Sequence, residues 1–485
     1  MKLYLCLIFS SIFSLISFPI TAQESVKLDE KICESNLNQK IESIVNEPSR
    51  QQETWGILIE NLNNNQVLYQ LNKSKFFVPA SNLKLLTTAG ALLKFGADFR
   101  IKTPVYIKNI SINDTIRSNS LDSLIIEGKG DPTFSKKQLE IIAQKLQQKG
   151  VKQINSLVLI DGYLSSPSTN YTWEFEDIYF YFAVPINSLI LENNTVSLTL
   201  NPTNINEKSS LKWSDELAGK QWSIENSVYT RDSDIENNIN IFPIFARSSL
   251  EIIGDLSINE ESNTWQLSIP NPAKYFEESL IQVLNNYDIE VKNSQIIDRN
   301  NNLDQNRQLF LEINSPTLAE LIKVTNQESN NLYAEILLKY LLKDELTEWE
   351  SLNKMMNDLG VSERDYKLKD GSGLSRHNLI TPSALVTILK GINNSKYQNI
   401  FANSLSIAGV NGTLENRFKD SNITNNLYGK TGTLTGSASL SGYLKNDNYE
   451  DLVFSIIVNN STASSAVLRS SIDQIILLLG QLKKC

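Results

Sequence analysis

The sequence predicts an α+β multidomain protein: an α/β sandwich domain on an antiparallel sheet, interrupted by a large β-rich insertion. Three observations carry this. Residues 34–96 and 314–484 alternate helix and strand patterns. Residues 99–313 change texture, to short strands separated by Asn, Asp, Ser and Gly. The chain then closes on three strands and a helix, and those strands need partners that the first segment can supply.

Taken in order, Lys2 and the apolar run Leu3–Ile20 before Thr21-Ala22 predict a secretory signal peptide over 1–22, cleaved on export. A membrane anchor is the alternative; Ser10, Ser11, Ser14 and Ser17 interrupt the run and make it marginal for a span. Leu37, Ile41, Ile44 and Val45 set a helix over 34–47. Residues 55–60 and 66–70 form a hairpin around a polar turn, Asn61 to Asn65. After Phe76-Phe77-Val78-Pro79 a helix begins near Ser81 and ends at Gly96, a C-cap.

In the insertion the clearest strands are 102–107, 123–127, 156–160, 195–200 and 265–269, and the clearest helices 136–148 and 273–286. Residues 203–262 read as a further small β module. Gly128-Lys129-Gly130-Asp131-Pro132 and Asp161-Gly162-Tyr163 read as turns. Helices return at Leu318–Val324 and Leu332–Leu342, and Thr381-Pro382 opens another. Strands follow at 427–432, 438–444 and 452–458, and an amphipathic helix over 466–484 ends the chain.

The 485 residues carry 41% hydrophobic and 20% charged side chains, enough for a real core. A net charge of -9 without a basic tract argues against a nucleic-acid partner. The single histidine, His377, excludes a multi-histidine metal site. It would be needed for a Ser-His-Asp triad, but a lysine base explains the site without it.

Ser81 and Lys84 stand three apart, on one helical face. A serine hydroxyl needs a base within hydrogen-bond reach, and a lysine serves if its amine is neutral. Alone, Ser-x-x-Lys is more often a capping serine and a solvated lysine. With Ser329-x-Asn331 and Lys430-Thr431-Gly432 it completes the three-motif set of serine β-lactamases and penicillin-binding proteins.

The sequence resembles the D-alanyl-D-alanine carboxypeptidase/endopeptidase family of class C low-molecular-mass penicillin-binding proteins. The likeness includes Pro79-Ala80-Ser81-Asn82-Leu83-Lys84-Leu85, Gly130-Asp131-Pro132-Thr133, Asp370–Arg376 with Thr381-Pro382, Ala408–Leu414, and Lys430–Leu434 with Ser441-Gly442-Tyr443. The insertion between the first two motifs is itself a family mark. Asn330 departs from the usual Asp of Ser-Asp-Asn.

The resemblance implies a penicillin-binding, serine β-lactamase-like catalytic domain in two parts, 23–98 and 314–485, around the insertion 99–313, which is expected to form two subdomains. The resemblance also implies a periplasmic serine DD-peptidase that acts on peptidoglycan stem peptides and cross-links, takes β-lactam antibiotics as inhibitors, and needs no metal or other cofactor. Ser81 is then the nucleophile, Lys84 its base, Ser329 the proton relay and Asn331 a ligand of substrate and Lys84. Lys430, Thr431, Gly432 and Thr433 receive the terminal carboxylate. Asp161, Arg376 and Thr435 match the positions that receive a diaminopimelate side chain. The fold also brings the terminal helices together, so Cys33 and Cys485, the cysteines left after export, are expected to form a disulfide. A β-lactamase or esterase on the same fold, and a silent wall-binding protein, are the alternatives.

Overall fold

The computed structural model describes residues 31–108, 119–164, 168–232, 237–244, 247–298, 307–343 and 350–485. The expected signal segment lies outside the described residues. Among the described residues no helix is long and apolar enough to cross a membrane.

The two ends of the chain build one sheet. Thr54–Asn61 and Val67–Leu71 form a hairpin. Leu427–Leu434, Ser437–Leu444 and Leu452–Asn459 form an antiparallel meander. Leu452–Asn459 then pairs with Thr54–Asn61, Asn459 facing Thr54, and Ser406–Ile407 closes the far edge. The result is a six-stranded antiparallel sheet. Helices cover both faces, so Leu452–Asn459 is buried along its whole length and reads as a continuous apolar run rather than an alternation.

Glu34–Val45 and Ser465–Gly480 cover one face, packing Leu37, Ile41, Ile472 and Ile476 on Ile57, Phe454 and Ile456. Lys84–Phe95, Leu318–Gln327, Asn331–Leu342 and Pro382–Asn393 cover the other, over Leu58, Val453 and Ile457.

The last helix is shorter than its sequence pattern. It stops at Gly480, and Leu482–Lys483 runs as a strand parallel to Ile32–Cys33. Side-chain amides take the carbonyls that a helix end leaves open. Asn422 Nδ2 donates to Gly480 O at 2.6 Å, and Asn446 Nδ2 to Leu479 O and Leu482 O at 2.9 and 3.2 Å. This short pairing seats Cys33 beside Cys485, and the two form a disulfide with Cα atoms 5.8 Å apart.

The strands of 99–313 pair among themselves. Glu290–Ile297, Gln153–Ile160, Ser120–Glu127, Lys102–Lys108 and Gln308–Asn314 lie in that order in a mixed sheet. The first three are parallel, joined through Lys136–Gln148 and Pro272–Asn286. Parallel strands need such crossovers. Two three-stranded sheets follow, one of Ser223–Arg231, Asn238–Pro243 and Ser249–Ser257, the other of Thr195–Asn201, Ser210–Trp213 and Asn263–Ser268. The chain leaves and re-enters the first body side by side: Ile101 and Ser315 exchange hydrogen bonds, with Ile101 N on Ser315 Oγ and Ser315 N on Ile101 O, both at 2.9 Å.

Closing a loop of 452 residues restricts the unfolded chain strongly. The chain-entropy model puts the gain at about 5 kcal/mol as a ceiling. Reduction is expected to lower the melting temperature and, below it, to leave the reactivity of the distant Ser81 site unchanged. Calorimetry with and without reductant, paired with a Ser81 labelling assay, checks both.

Candidate active site

Ser81 sits in a tight turn of helix, Ala80–Leu83, at the entrance to the helix Lys84–Phe95. The approach is held from three sides. Phe77 pairs with Ile380 by two backbone bonds of 3.0 Å. Val78 N donates to Asn459 Oδ1 at 2.8 Å, and Ser439 Oγ donates to Pro79 O at 2.8 Å. Ala80 is held at φ +49°, a left-handed conformation that L residues other than Asn and Asp rarely adopt. Two glycines permit the contact. A Cβ on Gly373 would lie 1.9 Å from Ala80 O, and one on Gly432 would lie 3.0 Å from Ser81 N. Strand and loop therefore press directly on the backbone of the Ser81 turn.

Lys84 is wholly enclosed. Its Nζ lies 2.9 Å from Ser81 Oγ, and donates to Asn331 Oδ1 at 2.6 Å and to Ser372 O at 2.7 Å. Burial lowers its pKa to about 7, while the negative charges of Asp370 and Glu335 push it back up. A neutral amine has two N–H groups and one lone pair. The two acceptors take the N–H groups, and the lone pair is left facing the Ser81 hydroxyl.

Lys430 lies on the strand Leu427–Leu434, also wholly enclosed. Its Nζ donates to Ser329 Oγ and to Thr431 O, each at 2.9 Å. Burial first, and then the charge of Lys84, hold it well below an ordinary lysine. Ser329 is itself at φ +59°, just ahead of the helix Asn331–Leu342. Asn330 caps that helix by accepting from Tyr333 N at 3.2 Å. Asn serves an N-cap as well as Asp does, so the departure at this position keeps its local structural job. Asn331 Nδ2 donates to Phe182 O of the insertion at 2.7 Å, which turns its oxygen toward Lys84.

A second layer, not read from the sequence, holds this arrangement. Glu335 stands one helical turn beyond Asn331 and is buried. Its Oε1 accepts from Gly371 N at 3.0 Å and Ser372 N at 2.8 Å, fixing the loop whose Ser372 carbonyl meets Lys84. Burial, then the nearby Asp370, raises its pKa to about 8. Asp370 accepts from Gly373 N, Ser375 N, Asn378 Nδ2 and Trp173 Nε1 at 2.8, 2.6, 2.7 and 3.0 Å. Trp173 comes from the insertion, as does Thr172, whose Oγ1 donates to Ser375 Oγ at 2.7 Å.

A cavity of about 680 Å³ opens over Ser81. Ser329, Asn331, Thr413, Thr433, Thr435 and Arg376 line it. Thr431 Oγ1 donates to Thr413 Oγ1 at 2.8 Å behind this wall. Arg376 pairs through Nε with Glu174 Oε1 at 2.6 Å and donates to Thr435 O at 2.9 Å. Ser81, Lys84, Ser329, Asn331, Lys430, Thr431, Gly432, Thr433, Thr435 and Arg376 thus converge.

Asp161 does not join them, which corrects the expectation that it lines the same site. Its carboxylate accepts from Ser188 N at 2.6 Å, Leu189 N at 3.2 Å and Asn187 Nδ2 at 3.2 Å. It holds a turn of the insertion. The insertion acids that line the cavity with Arg376 are Glu174 and Asp177. Nothing in the short run Trp173–Asp177 separates them from surface acids; only the folded contact does. Asp131 likewise serves its own turn, accepting from Thr133 N and Oγ1 at 2.9 and 2.7 Å. His377 is exposed and lies outside the cavity lining.

Over 96% of both chains the sequence is 28% identical to a penicillin-sensitive carboxypeptidase A of Dictyostelium discoideum. It is 25% identical to a D-alanyl-D-alanine carboxypeptidase of an Actinomadura species, over 90% of this chain and 82% of that one. A penicillin-binding protein 4 from Haemophilus influenzae shares the fold, with a TM-score of 0.78 at 24% identity, over 92% of this chain and 98% of that one. Residues 37–482 match one family throughout, and the chain belongs to that family, the D-Ala-D-Ala carboxypeptidase 3 (S13) family.

Proposed function

We propose that this enzyme hydrolyses the D-Ala-D-Ala bond of peptidoglycan stem peptides, and the matching bond of cross-links, through an acyl-enzyme on Ser81. The observation that carries the reading is the enclosed Lys84 amine, 2.9 Å from Ser81 Oγ. Ser81 Oγ attacks the carbonyl of the penultimate D-alanine as Lys84 takes its proton. That proton returns through Ser329 to the leaving amine. Asn331 hydrogen-bonds the substrate amide. Lys430, Thr431 and Thr433 receive the terminal carboxylate, whose charge favours the protonated form of Lys430 and whose oxygens suit the flanking hydroxyls. The backbone N–H groups of Ser81 and Thr433 form the oxyanion hole, where one donor is worth about 3 kcal/mol of transition-state stabilisation. Water then attacks the ester, with Lys84 again as base, and releases the shortened peptide.

A β-lactam, which presents a strained amide and a carboxylate at similar spacing, takes the same route and stops at the ester. The penicillin sensitivity of the Dictyostelium relative supports this. Export through the 1–22 segment suits both a wall substrate and the Cys33–Cys485 bond, which needs an oxidising compartment. The charged end of a diaminopimelate side chain fits the Arg376 cluster, its carboxylate on Arg376 and its amine on Asp177 or Glu174.

Incubated with penicillin, the protein is expected to gain one adduct, mapped by mass spectrometry to Ser81 and absent in Ser81→Ala. An adduct on another residue overturns the assignment. Only neutral Lys84 accepts the proton, so the acylation rate should rise with pH through about 7 and level off above it.

Glu335→Leu strips two buried N–H groups of their acceptor, a loss of about 1–3 kcal/mol each. It is expected to lower kcat at least tenfold. Glu335→Gln keeps the accepting oxygen and should restore kcat to within a few-fold. Steady-state kinetics on the pair separates a positioning role from simple loss of packing.

Arg376→Ala should lower kcat/KM about tenfold on peptides with a free side-chain carboxylate at the diaminopimelate position, the weight of one charge-assisted contact. Peptides lacking it should be cleaved as before. Equal loss on both sinks the assignment.

A further inference from the structure

The cavity continues beyond the Arg376 cluster onto the insertion, where the reaction above has no use for it. Tyr181, Asn193, Thr195 and Gln266 line this end. Phe180 bridges Leu267 in antiparallel fashion, which sets Tyr181 across from Gln266. Gln266 Nε2 donates to Thr195 Oγ1 at 3.0 Å. Tyr181 is 54% exposed, a large ring left open at a cavity wall.

The backbone behind them turns through the left-handed region. Glu192, Asn193 and Asn194 have φ of 51°, 56° and 56°, three left-handed residues in succession. Asn tolerates this conformation, but Glu192 does not, and such strain persists only where surrounding structure enforces it. Two of the three have an internal task. Glu192 Oε1 accepts from Lys136 N at 2.8 Å, at the start of the helix Lys136–Gln148. Asn194 Nδ2 donates to Pro185 O and Asn187 Oδ1 at 2.9 and 3.0 Å. Asn193 differs: it lines the cavity, and its Oδ1 is enclosed without a hydrogen-bond partner. Its terminal torsion is soft and two-fold, so rotation about it offers either the oxygen or the NH₂ to a ligand.

The chemistry of this end is two amides, a hydroxyl and an aromatic face, all uncharged. Arg376 is the one cation among the cavity's lining residues, while Glu174, Asp177 and Glu328 line it too. An anionic peptide segment gains nothing here. A neutral ring with several hydroxyl or acetamido groups and an apolar face gains hydrogen bonds and a stacking surface. The polymer that bears the stem peptide is built of such N-acetylated sugars. We propose that Tyr181, Asn193, Thr195 and Gln266 form a subsite for a sugar ring of the glycan attached to the stem peptide. This rests on the reading of Ser81 as the nucleophile toward stem peptides.

The test compares three substrates with the same scissile bond: a bare stem peptide, the same peptide bearing its N-acetylated disaccharide, and a sugar-free cross-linked peptide dimer. The disaccharide is expected to raise kcat/KM about tenfold over the bare peptide, the weight of one or two added contacts. Asn193→Ala with Gln266→Ala, and separately Tyr181→Ala, should abolish that gain. Both should leave bare-peptide cleavage and penicillin acylation at the wild-type rate, which also shows that the variants fold. Equal kcat/KM with and without sugar overturns the subsite. A gain carried by the sugar-free dimer and lost in the variants overturns it too, in favour of a second peptide strand. Failure of the Ser81 reading is distinct: the bare peptide would then not be cleaved and penicillin would not acylate.

Discussion

A fully enclosed amine is the constraint on which the Ser81 site turns. Lys84 must keep its N–H groups satisfied, since a buried donor without a partner is costly. A carboxylate in contact would satisfy them but would also hold the proton on. The structure gives Lys84 neutral acceptors instead, Asn331 Oδ1 and Ser372 O. The carboxyl groups of Asp370 and Glu335 stand one layer back, each occupied by backbone N–H groups of the loop that supplies the carbonyl. Where ionised, they oppose the desolvation of Lys84, and the balance brings its pKa to about 7. Removing the layer would alter both the position and the basicity of the amine.

This arrangement draws on every part of the chain. Ser81 and Lys84 come from the first segment, Ser329 to Glu335 and Asp370 to Arg376 from helices and loops after the insertion, and Lys430 from a strand of the closing meander. The insertion supplies Trp173 to Asp370 and the Phe182 carbonyl to Asn331. The six-stranded sheet makes this convergence possible, because Thr54–Asn61 lies beside Leu452–Asn459. Asn459, at the end of that pairing, also clamps Val78 on the approach to Ser81. The same register therefore closes the sheet and sets the Ser81 turn against it.

The parts legible in the sequence are those whose signal is local. Ser81 and Lys84 share a helical turn, Asn331 opens a helix, and Lys430-Thr431-Gly432 sits on a strand. Glu335 and Asp370 were not legible as a support, because each acts through backbone groups distant in sequence. Asp161 shows the opposite failure: an acid before glycine reads equally as a turn or a ligand, and its neighbours at 187–189 decide for the turn. The last helix reads past its true end because Leu482 continues the apolar spacing, while the amides of Asn422 and Asn446 that stop it lie elsewhere. Glu290–Ile297 is largely exposed and polar, and Gln308–Asn314 sets Leu309, Phe310 and Leu311 in succession, so both edge strands lack the alternation that marked their buried neighbours.

Charge is sorted along the cavity, and the sorting constrains how a peptide can lie in it. The Lys430 end combines an enclosed amine with Thr413, Thr431 and Thr433, and on the proposed reading it takes the carboxylate at a chain terminus. The middle pairs Arg376 with Glu174 beside Asp177, a set that suits a zwitterionic side chain better than either charge alone. Beyond it the lining is uncharged at Tyr181, Asn193, Thr195 and Gln266. A ligand reversed in this groove would set its terminal carboxylate among groups that offer no cation, and would leave Lys430 buried without an anion. On the proposed reading the groove favours one direction of the peptide as well as one composition, because buried polar groups left without partners are costly.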